Sequence, residues 1–327
     1  MEQRHLGRTG LRVSRMGLGT MTWGRDTDEH DAADQMKAFL DAGGNLVDTA
    51  DVYADGEAEY MIGRLLDGYV PRSDIVIATK AASVPYSQRR FDGSRSHLLQ
   101  ALDHSLARLG TDHVDLWQLH AYDPSTPLEE TLHALDLAVS SGRARYVGVS
   151  NFCGWQLAKA ATWQLAAPGR VVIASTQMEY SLLQRGIERE VLPAALDLGV
   201  GLLPWSPLGR GVLTGKYRHG MPADSRGGSA HMGPFVAPYL DEHSRRIVDA
   251  LATAAEGLGT APIEVALAWV RDRPGVVAPI VGARNAAQLR ASLGAEHMAL
   301  PGEIRAALED VSLPMTGYPD HEWGRGE

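Results

Sequence analysis

The chain has 327 residues, 44% of them apolar and 22% charged, a globular composition that can bury a sizeable core and excludes disorder as the main state. With 31 basic against 40 acidic residues the net charge is −9, which argues against nucleic acid or an anionic membrane as a partner held by bulk electrostatics. Cys153 is the one cysteine, so an internal disulfide and a cysteine-built metal site are excluded; with no apolar run of about 18 residues and no apolar segment in MEQRHLGRTG, a cytoplasmic protein is expected.

The chain opens with a predicted β-hairpin over Arg4–Ser14, turning at Thr9-Gly10. Short runs rich in Val, Ile and Leu then predict eight strands: Arg15–Met21, Asn45–Ala50, Ile75–Lys80, Val114–His120, Ala144–Ser150, Val171–Met178, Val200–Trp205 and Val276–Val281. Continuous apolar runs of this length suit parallel strands buried on both faces. Helical patterns separate them, with apolar residues three and four apart. Asp31–Ala42 carries Ala33, Met36, Phe39 and Leu40; Arg95–Leu109 carries Leu98, Leu102, Leu106 and Leu109; Leu128–Ser140 carries Leu132, Leu135 and Val139. Gly43, Gly110, Gly142 and Gly199 stand where left-handed C-caps are expected.

Strand–helix alternation predicts parallel strands joined by right-handed crossovers. A dinucleotide-binding open sheet wants Gly-x-Gly-x-x-Gly after its first strand, and Gly17-Leu18-Gly19 is followed by the wrong spacing. Eight units in about 300 residues fit a single (β/α)8 barrel domain spanning 1–327. Three pieces fall outside the eightfold count: the hairpin, the Gly-, Pro- and Arg-rich segment Gly209–His243, and a terminal helix over Glu303–Leu313 with a polar tail. Loops as long as 209–243 are usually functional.

In such barrels the chemistry sits where the strands end. The second strand ends in Asp48 and leads to Tyr53; the third ends in Lys80, the fourth in His120, the fifth in Ser150-Asn151. The sixth offers Gln177 and the seventh ends in Trp205-Ser206. Taken singly, Asp48 reads as a turn cap, Tyr53 as an amphipathic loop residue and His120 as a structural imidazole. Lys80 is less ordinary, because a buried lysine is rare unless paired, and Asp48 supplies a pair. An acid, a phenol, an amine and an imidazole converging on one barrel mouth favour catalysis.

These residues lie in stretches that resemble the aldo-keto reductases along nearly the whole chain: RHLGRTGLRVSRMGLGTM, NLVDTADVYADGEAE, IVIATK, VDLWQLH, ARYVGVSNF, TQMEYSLLQR, LPWSPLGRGVLTGKY and PIVGARNAAQL. The resemblance implies a (β/α)8 barrel that reduces small-molecule aldehydes or ketones with NADPH, without metal or flavin, through a tetrad of Asp48, Tyr53, Lys80 and His120. It implies that Ser150, Asn151 and Gln177 hydrogen-bond the nicotinamide carboxamide and that Trp205 stacks on the ring. Ser206, Pro207, Leu208, Gly209 and Gly211 would line the cofactor, the Gly-rich part turning its backbone amides to the pyrophosphate, with Lys216 as a point charge. Gly19, Thr20 and Met21 complete that cleft. Gly282, Arg284 and Gln288, at the start of a helix, would hold the 2′-phosphate. Many members carry Glu-Asn, contacting the adenine, where Ala291-Ser292 stands here; adenine anchoring is then either weaker or passed to Arg290, with Ser292 remaining an expected cofactor contact. The substrate walls are expected from Trp23, Tyr86, Tyr122 and the 209–243 segment, giving a partly apolar pocket.

Carbonyl reduction needs a hydride on carbon and a proton on oxygen. A free phenol is a reluctant acid near neutral pH. An ammonium about 4 Å away is worth about 4 kcal/mol at an effective dielectric of 20, so Lys80 is expected to draw Tyr53 down towards neutrality against the opposing cost of burial. Asp48 would keep Lys80 charged, and His120 would orient the carbonyl oxygen. Two other readings share these residues: an NADPH-binding regulatory subunit with little turnover, as in the channel-associated β subunits among the resembled proteins, and a Schiff-base aldolase acting through Lys80.

Overall fold

The computed structural model describes residues 1–223, 225–230, 232–315 and 317. Strands β1 (Gln3–His5) and β2 (Arg12–Ser14) pair antiparallel, with Gln3 opposite Ser14. Eight strands then follow in parallel: β3 (Gly17–Gly19), β4 (Leu46–Asp48), β5 (Val76–Ala81), β6 (Val114–Leu119), β7 (Ala144–Ser150), β8 (Ile173–Glu179), β9 (Gly201–Trp205) and β10 (Ile280–Gly282). They pair in chain order, and β10 returns to β3. Closure between β9 and β10 runs through residues just before β10: Leu202 N–H donates to Gly275 O at 3.0 Å, and Val277 N–H donates to Leu202 O at 2.9 Å. The molecule is a (β/α)8 barrel.

Helices α1 (Glu29–Asp41), α2 (Glu57–Leu66), α3 (Arg95–Leu109), α4 (Leu128–Ser140), α5 (Gly154–Leu165) and α6 (Val191–Leu198) follow the first six barrel strands. After β9 come a short turn of helix, α7 (Gly233–Val236), then α8 (Glu242–Leu258) and α9 (Pro262–Arg271). Helix α10 (Ala286–Leu293) follows β10, and α11 (Gly302–Val311) packs on α8 outside the ring. Ends are set by local chemistry: Asp28, Ser94 and Asp241 cap α1, α3 and α8 through their side chains, and Gly110 and Gly199 end α3 and α6 in the left-handed region. Of the polar tail expected after α11, residues 316 and 318–327 lie outside the described ones.

Side chains alternate across each strand, and that parity builds the site. Leu46, Val76, Ala78, Leu116, Leu203 and Ile280 fill the barrel interior, where Leu6 and Val13 of the hairpin join them from below. Val47, Ile77, Trp117, Val147 and Leu202 face outward against Met36, Phe39, Ile62, Leu102 and Leu135 of the helices. Two residues beyond Leu46, Ala78 and Leu116 on the same inner face stand Asp48, Lys80 and Gln118. The interior is thus apolar at the base and polar at the mouth.

The hairpin is held by backbone contact. Arg8 N–H donates to Gly199 O at 2.9 Å. Gly7, at φ +57°, packs so closely that a β-carbon there would lie 2.6 Å from Ala174 O and 2.7 Å from Gly199 O.

Candidate active site

Lys80 is fully buried, and its ammonium donates to Asp48 Oδ1 at 2.6 Å and to Thr49 O at 2.8 Å. The other carboxylate oxygen, Asp48 Oδ2, accepts from Gln177 Nε2 at 2.8 Å. Both oxygens of this buried acid are therefore matched, as a buried charge requires. Lys80 Nζ stands 5.2 Å from the centroid of the Tyr53 ring. The Tyr53 and His120 rings meet edge to face, with centroids 6.0 Å apart. The turn that carries Tyr53 bends sharply, with Ala54 at φ +48° and Asp55 at φ +55°. Non-glycine residues in that region are strained, and such strain concentrates at functional sites.

Burial works to lower the pKa of Lys80, but Asp48 and Tyr53 outweigh it and hold it above its ordinary value, so the amine stays charged. For Tyr53, burial raises the phenol and the neighbouring ammonium opposes; burial wins. The expectation that Lys80 draws Tyr53 down towards neutrality is corrected here: desolvation of the phenolate exceeds the pull of an ammonium already shared with Asp48, and Tyr53 keeps its proton. His120 is pushed down to about 3, by burial and by the Lys80 charge, and is a neutral imidazole. Its Nδ1 is buried with no partner among the described residues.

A cavity of about 570 Å³ opens beside Tyr53 and His120, within the usual size of ligand pockets. Ser150, Asn151, Gln177 and Trp205 line it next to the tetrad. Ser150 Oγ donates to Gln177 O at 2.9 Å, Asn151 Nδ2 to His120 O at 2.9 Å, and Trp205 Nε1 to Asn151 Oδ1 at 3.1 Å. Asn151 and Ser206 sit at φ +57° and +49°. The Trp205 ring and the Asn151 amide are thus fixed by one another. The cavity continues past Gly19, Thr20, Met21, Ser206, Pro207, Leu208, Gly211 and Lys216 to Gly282, Arg284, Gln288 and Ser292. Asn285 caps α10 there by accepting from Gln288 N–H at 3.0 Å. An aromatic face, amide donors and cations at the far end fit a dinucleotide along this cleft.

Some expected residues lie elsewhere. Trp23 does not line the cavity: its ring is fully buried in the outer core and its Nε1 donates to Gln35 Oε1 at 3.3 Å. Tyr86 is 88% exposed, and Tyr122 packs edge-on against Phe152 and Trp155 at 5.4 and 5.8 Å; neither lines this cavity. Gly209 is also set back from it, at φ +55° with Leu183 behind its α-carbon. Arg290 is outside the lining, whereas Ala291 is part of it.

Sequence reasoning missed Arg210 and Arg226. Arg210 lines the cavity and clasps Glu179 through Nε at 2.8 Å and Nη2 at 2.6 Å, while Nη1 donates to Phe235 O at 2.6 Å. It thereby ties the segment around α7 to the end of β8, and its guanidinium lies 4.0 Å from the Phe235 ring centroid. The Gly-Arg-Gly triplet is the signal that marks it. Arg226 also lines the cavity; burial lowers its pKa. No periodicity distinguishes it within a loop rich in Gly and Arg. Among the described residues no group of three or more His, Cys, Asp or Glu is arranged to hold a metal ion, and no helix is long and apolar enough to cross a membrane.

The sequence profile of the aldo/keto reductase family matches residues 15–312. The chain is 40% identical to an uncharacterized oxidoreductase, YrpG, of Bacillus subtilis, over 95% of this chain and 96% of that one. It is 37% identical to a probable voltage-gated potassium channel subunit beta of Oryza sativa subsp. japonica, over 88% and 89%. It is 32% identical to versiconal hemiacetal acetate reductase of Aspergillus parasiticus, over 98% and 99%. The chain belongs to the aldo/keto reductase family.

Proposed function

We propose that the protein is a single-domain NADPH-dependent reductase of small aldehydes and ketones, working in the cytoplasm, with Tyr53 as proton donor. The observation that carries this reading is the meeting of the Asp48–Lys80 pair, Tyr53 and neutral His120 at the wall of the cavity that also holds Ser150, Asn151, Gln177 and Trp205. When bound, the reduced nicotinamide supplies the hydride. Trp205 and the amides of Asn151 and Gln177 orient the ring. Tyr53, protonated, gives its proton to the carbonyl oxygen as charge develops there, and neutral His120 donates a hydrogen bond to that same oxygen. Charged Lys80, held by Asp48, stabilises the phenolate left on Tyr53. Arg284, Lys216 and Arg226 bind the phosphates, which favours NADPH. The single free thiol of Cys153 is in keeping with a reducing compartment.

Oxidation of NADPH by a panel of small aldehydes and ketones tests the reading; turnover with at least one of them is expected. The relative named as a channel β subunit favours a second reading, a coenzyme-binding regulatory protein. Single-turnover oxidation of bound coenzyme with little steady-state turnover would support that instead. A Schiff-base aldolase requires an uncharged amine, and Lys80 is held charged; borohydride is expected to trap no adduct on it.

A further inference from the structure

The alternation of side chains along β8 breaks once, just below the site. Val147 of β7 stands opposite Ile173, but Gly148 stands opposite Ser175, so Ala174 is an extra residue with no partner on β7. An unpaired insertion of this kind is a β-bulge, and it turns every later side chain of the strand to the opposite face. The packing records that turn. Ile173 faces the helices and Ala174 faces the barrel interior. Ser175 faces the interior as well, where its hydroxyl donates to Gln118 Oε1 at 3.1 Å. Two residues further on, Gln177 reaches Asp48. Strict alternation from Ala174 would send Gln177 outward among the helices, away from Asp48 and from the coenzyme cavity.

The bulge is seated by close approach on two sides. Gly148 has no side chain, and a β-carbon there would lie 2.1 Å from Ser175 Oγ and 3.0 Å from Ser175 O. The Ser175 hydroxyl occupies the notch so left. Below, Gly7 of the hairpin lies against the carbonyl oxygen of Ala174, 2.6 Å from where a β-carbon of residue 7 would stand. Ser175 and Gln118 are both fully buried. Gln118 Nε2 has no partner among the described residues, so the Gln118 amide depends on the Ser175 hydroxyl. Neither Gly148 nor Ser175 lines the coenzyme cavity, so any effect they have on hydride transfer must pass through a neighbour.

We propose that Ser175, seated in the notch at Gly148, is a positioning residue for Gln177: it locks the bulge of β8 in the register that aims the Gln177 amide at Asp48 and at the nicotinamide. The inference rests on the coenzyme role given to Gln177 above. It also gives the hairpin a part in the site, since Gly7 supports the bulge from beneath.

Gly148→Ala drives a methyl group into the Ser175 hydroxyl, shifts the bulge and misplaces Gln177. A misplacement of about 1 Å can cost on the order of a hundredfold, so hydride transfer from bound NADPH is expected to fall by roughly ten- to a hundredfold. Affinities for NADPH and NADH fall together, and by no more than in Gln177→Ala, because the phosphate contacts at the far end are untouched. Ser175→Ala slows transfer in the parent, because the Gln118 amide loses its bond and the bulge its anchor. In the Gly148→Ala background the same change speeds transfer, because it removes the atom that the new methyl group strikes. The effect of Ser175→Ala thus changes sign between the two backgrounds.

The experiment is single-turnover hydride transfer from bound NADPH to a small aldehyde, with NADPH and NADH titrations, in the parent, Gly148→Ala, Ser175→Ala, Gln177→Ala and their pairwise combinations. Gly148→Ala is expected to cost about tenfold or more alone and less than about twofold in the Gln177→Ala background, where nothing is left to misplace. Equal losses in both backgrounds, or parental transfer in Gly148→Ala, would overturn the inference. So would a Ser175→Ala effect of the same sign with and without Gly148→Ala. Should Gly148→Ala not fold, the Ser175→Ala and Gln177→Ala pair decides, and additive losses overturn the proposal. Urea unfolding of the same proteins reads the Gln177–Asp48 bond without coenzyme. A parent that transfers no hydride would sink the coenzyme reading alone: non-additive urea losses for Gly148→Ala and Gln177→Ala would still support the seating of the bulge, and additive ones would overturn it.

Discussion

Gln177 donates its side-chain amide to Asp48 at 2.8 Å, on the carboxylate oxygen that Lys80 leaves free. A residue lining the coenzyme cleft thus completes the shell of the buried acid beneath the tetrad, and the two halves of the site share one side chain. Gln177→Ala is expected to act on both. It leaves Asp48 Oδ2 buried without a donor, at a cost of about 1–3 kcal/mol, and it weakens NADPH. Urea unfolding and a fluorescence titration with NADPH measure the two effects; a loss of coenzyme affinity with unchanged stability would show that Asp48 does not depend on this bond.

The Asp48–Lys80 pair predicts non-additive substitutions. Lys80→Met leaves a buried carboxylate unpaired and should destabilise the fold by about 3–5 kcal/mol. Asp48→Asn combined with Lys80→Met should cost much less than the sum of the single changes, because the double variant buries no lone charge. Chemical denaturation of the three proteins closes the cycle.

Arg284 bears on coenzyme choice. It lines the far end of the cavity, just before α10. If it meets the 2′-phosphate, Arg284→Ala should lose about 1.5–3 kcal/mol of NADPH affinity, with NADH affected far less. Equal losses for both coenzymes would place that phosphate elsewhere.

His120 predicts an acid-side weakness. Its pKa falls to about 3 in the folded chain, below the ordinary imidazole value of about 6.5, so the unfolded chain binds the extra proton. The stability that neutral His120 contributes is therefore fully present above about pH 6.5 and is lost progressively as pH falls towards 3. His120→Gln should flatten that part of the stability–pH curve, by up to a few kcal/mol at its acid end. Thermal melts of both proteins across the acid range test it.

The barrel was legible because its strands are buried on both faces and separated by amphipathic helices. Ala144–Ser150, Arg95–Leu109 and Leu128–Ser140 coincide with β7, α3 and α4. The last strand was less so. Val276–Val281 reads as one apolar run, yet Val277 bonds to Leu202 while Ile280–Gly282 pairs with β3, and Pro279, which has no N–H, lies between. In the site, residue parity brings Asp48 and Lys80 together, a relation visible in sequence once the strand ends are known. Aromatics in loops carry no such mark: Trp23 and Tyr86 are both Trp- or Tyr-bearing loop positions, and one is fully buried while the other is 88% exposed. The proton affinity of Tyr53 was also beyond the sequence, because it depends on how completely the phenol is desolvated and on how much of the Lys80 charge Asp48 already claims.

Tyr53 is proposed to give the proton. Tyr53→Phe keeps the ring and its contact with His120 and deletes only the acidic hydroxyl. The decisive measurement is kcat for reduction of a good small aldehyde by this variant, beside its NADPH affinity. Near-parental coenzyme binding is expected, with a fall in kcat of at least about a hundredfold, the low end for general-acid catalysis. Near-parental turnover in Tyr53→Phe would contradict it, since the proton would then have to come from another group.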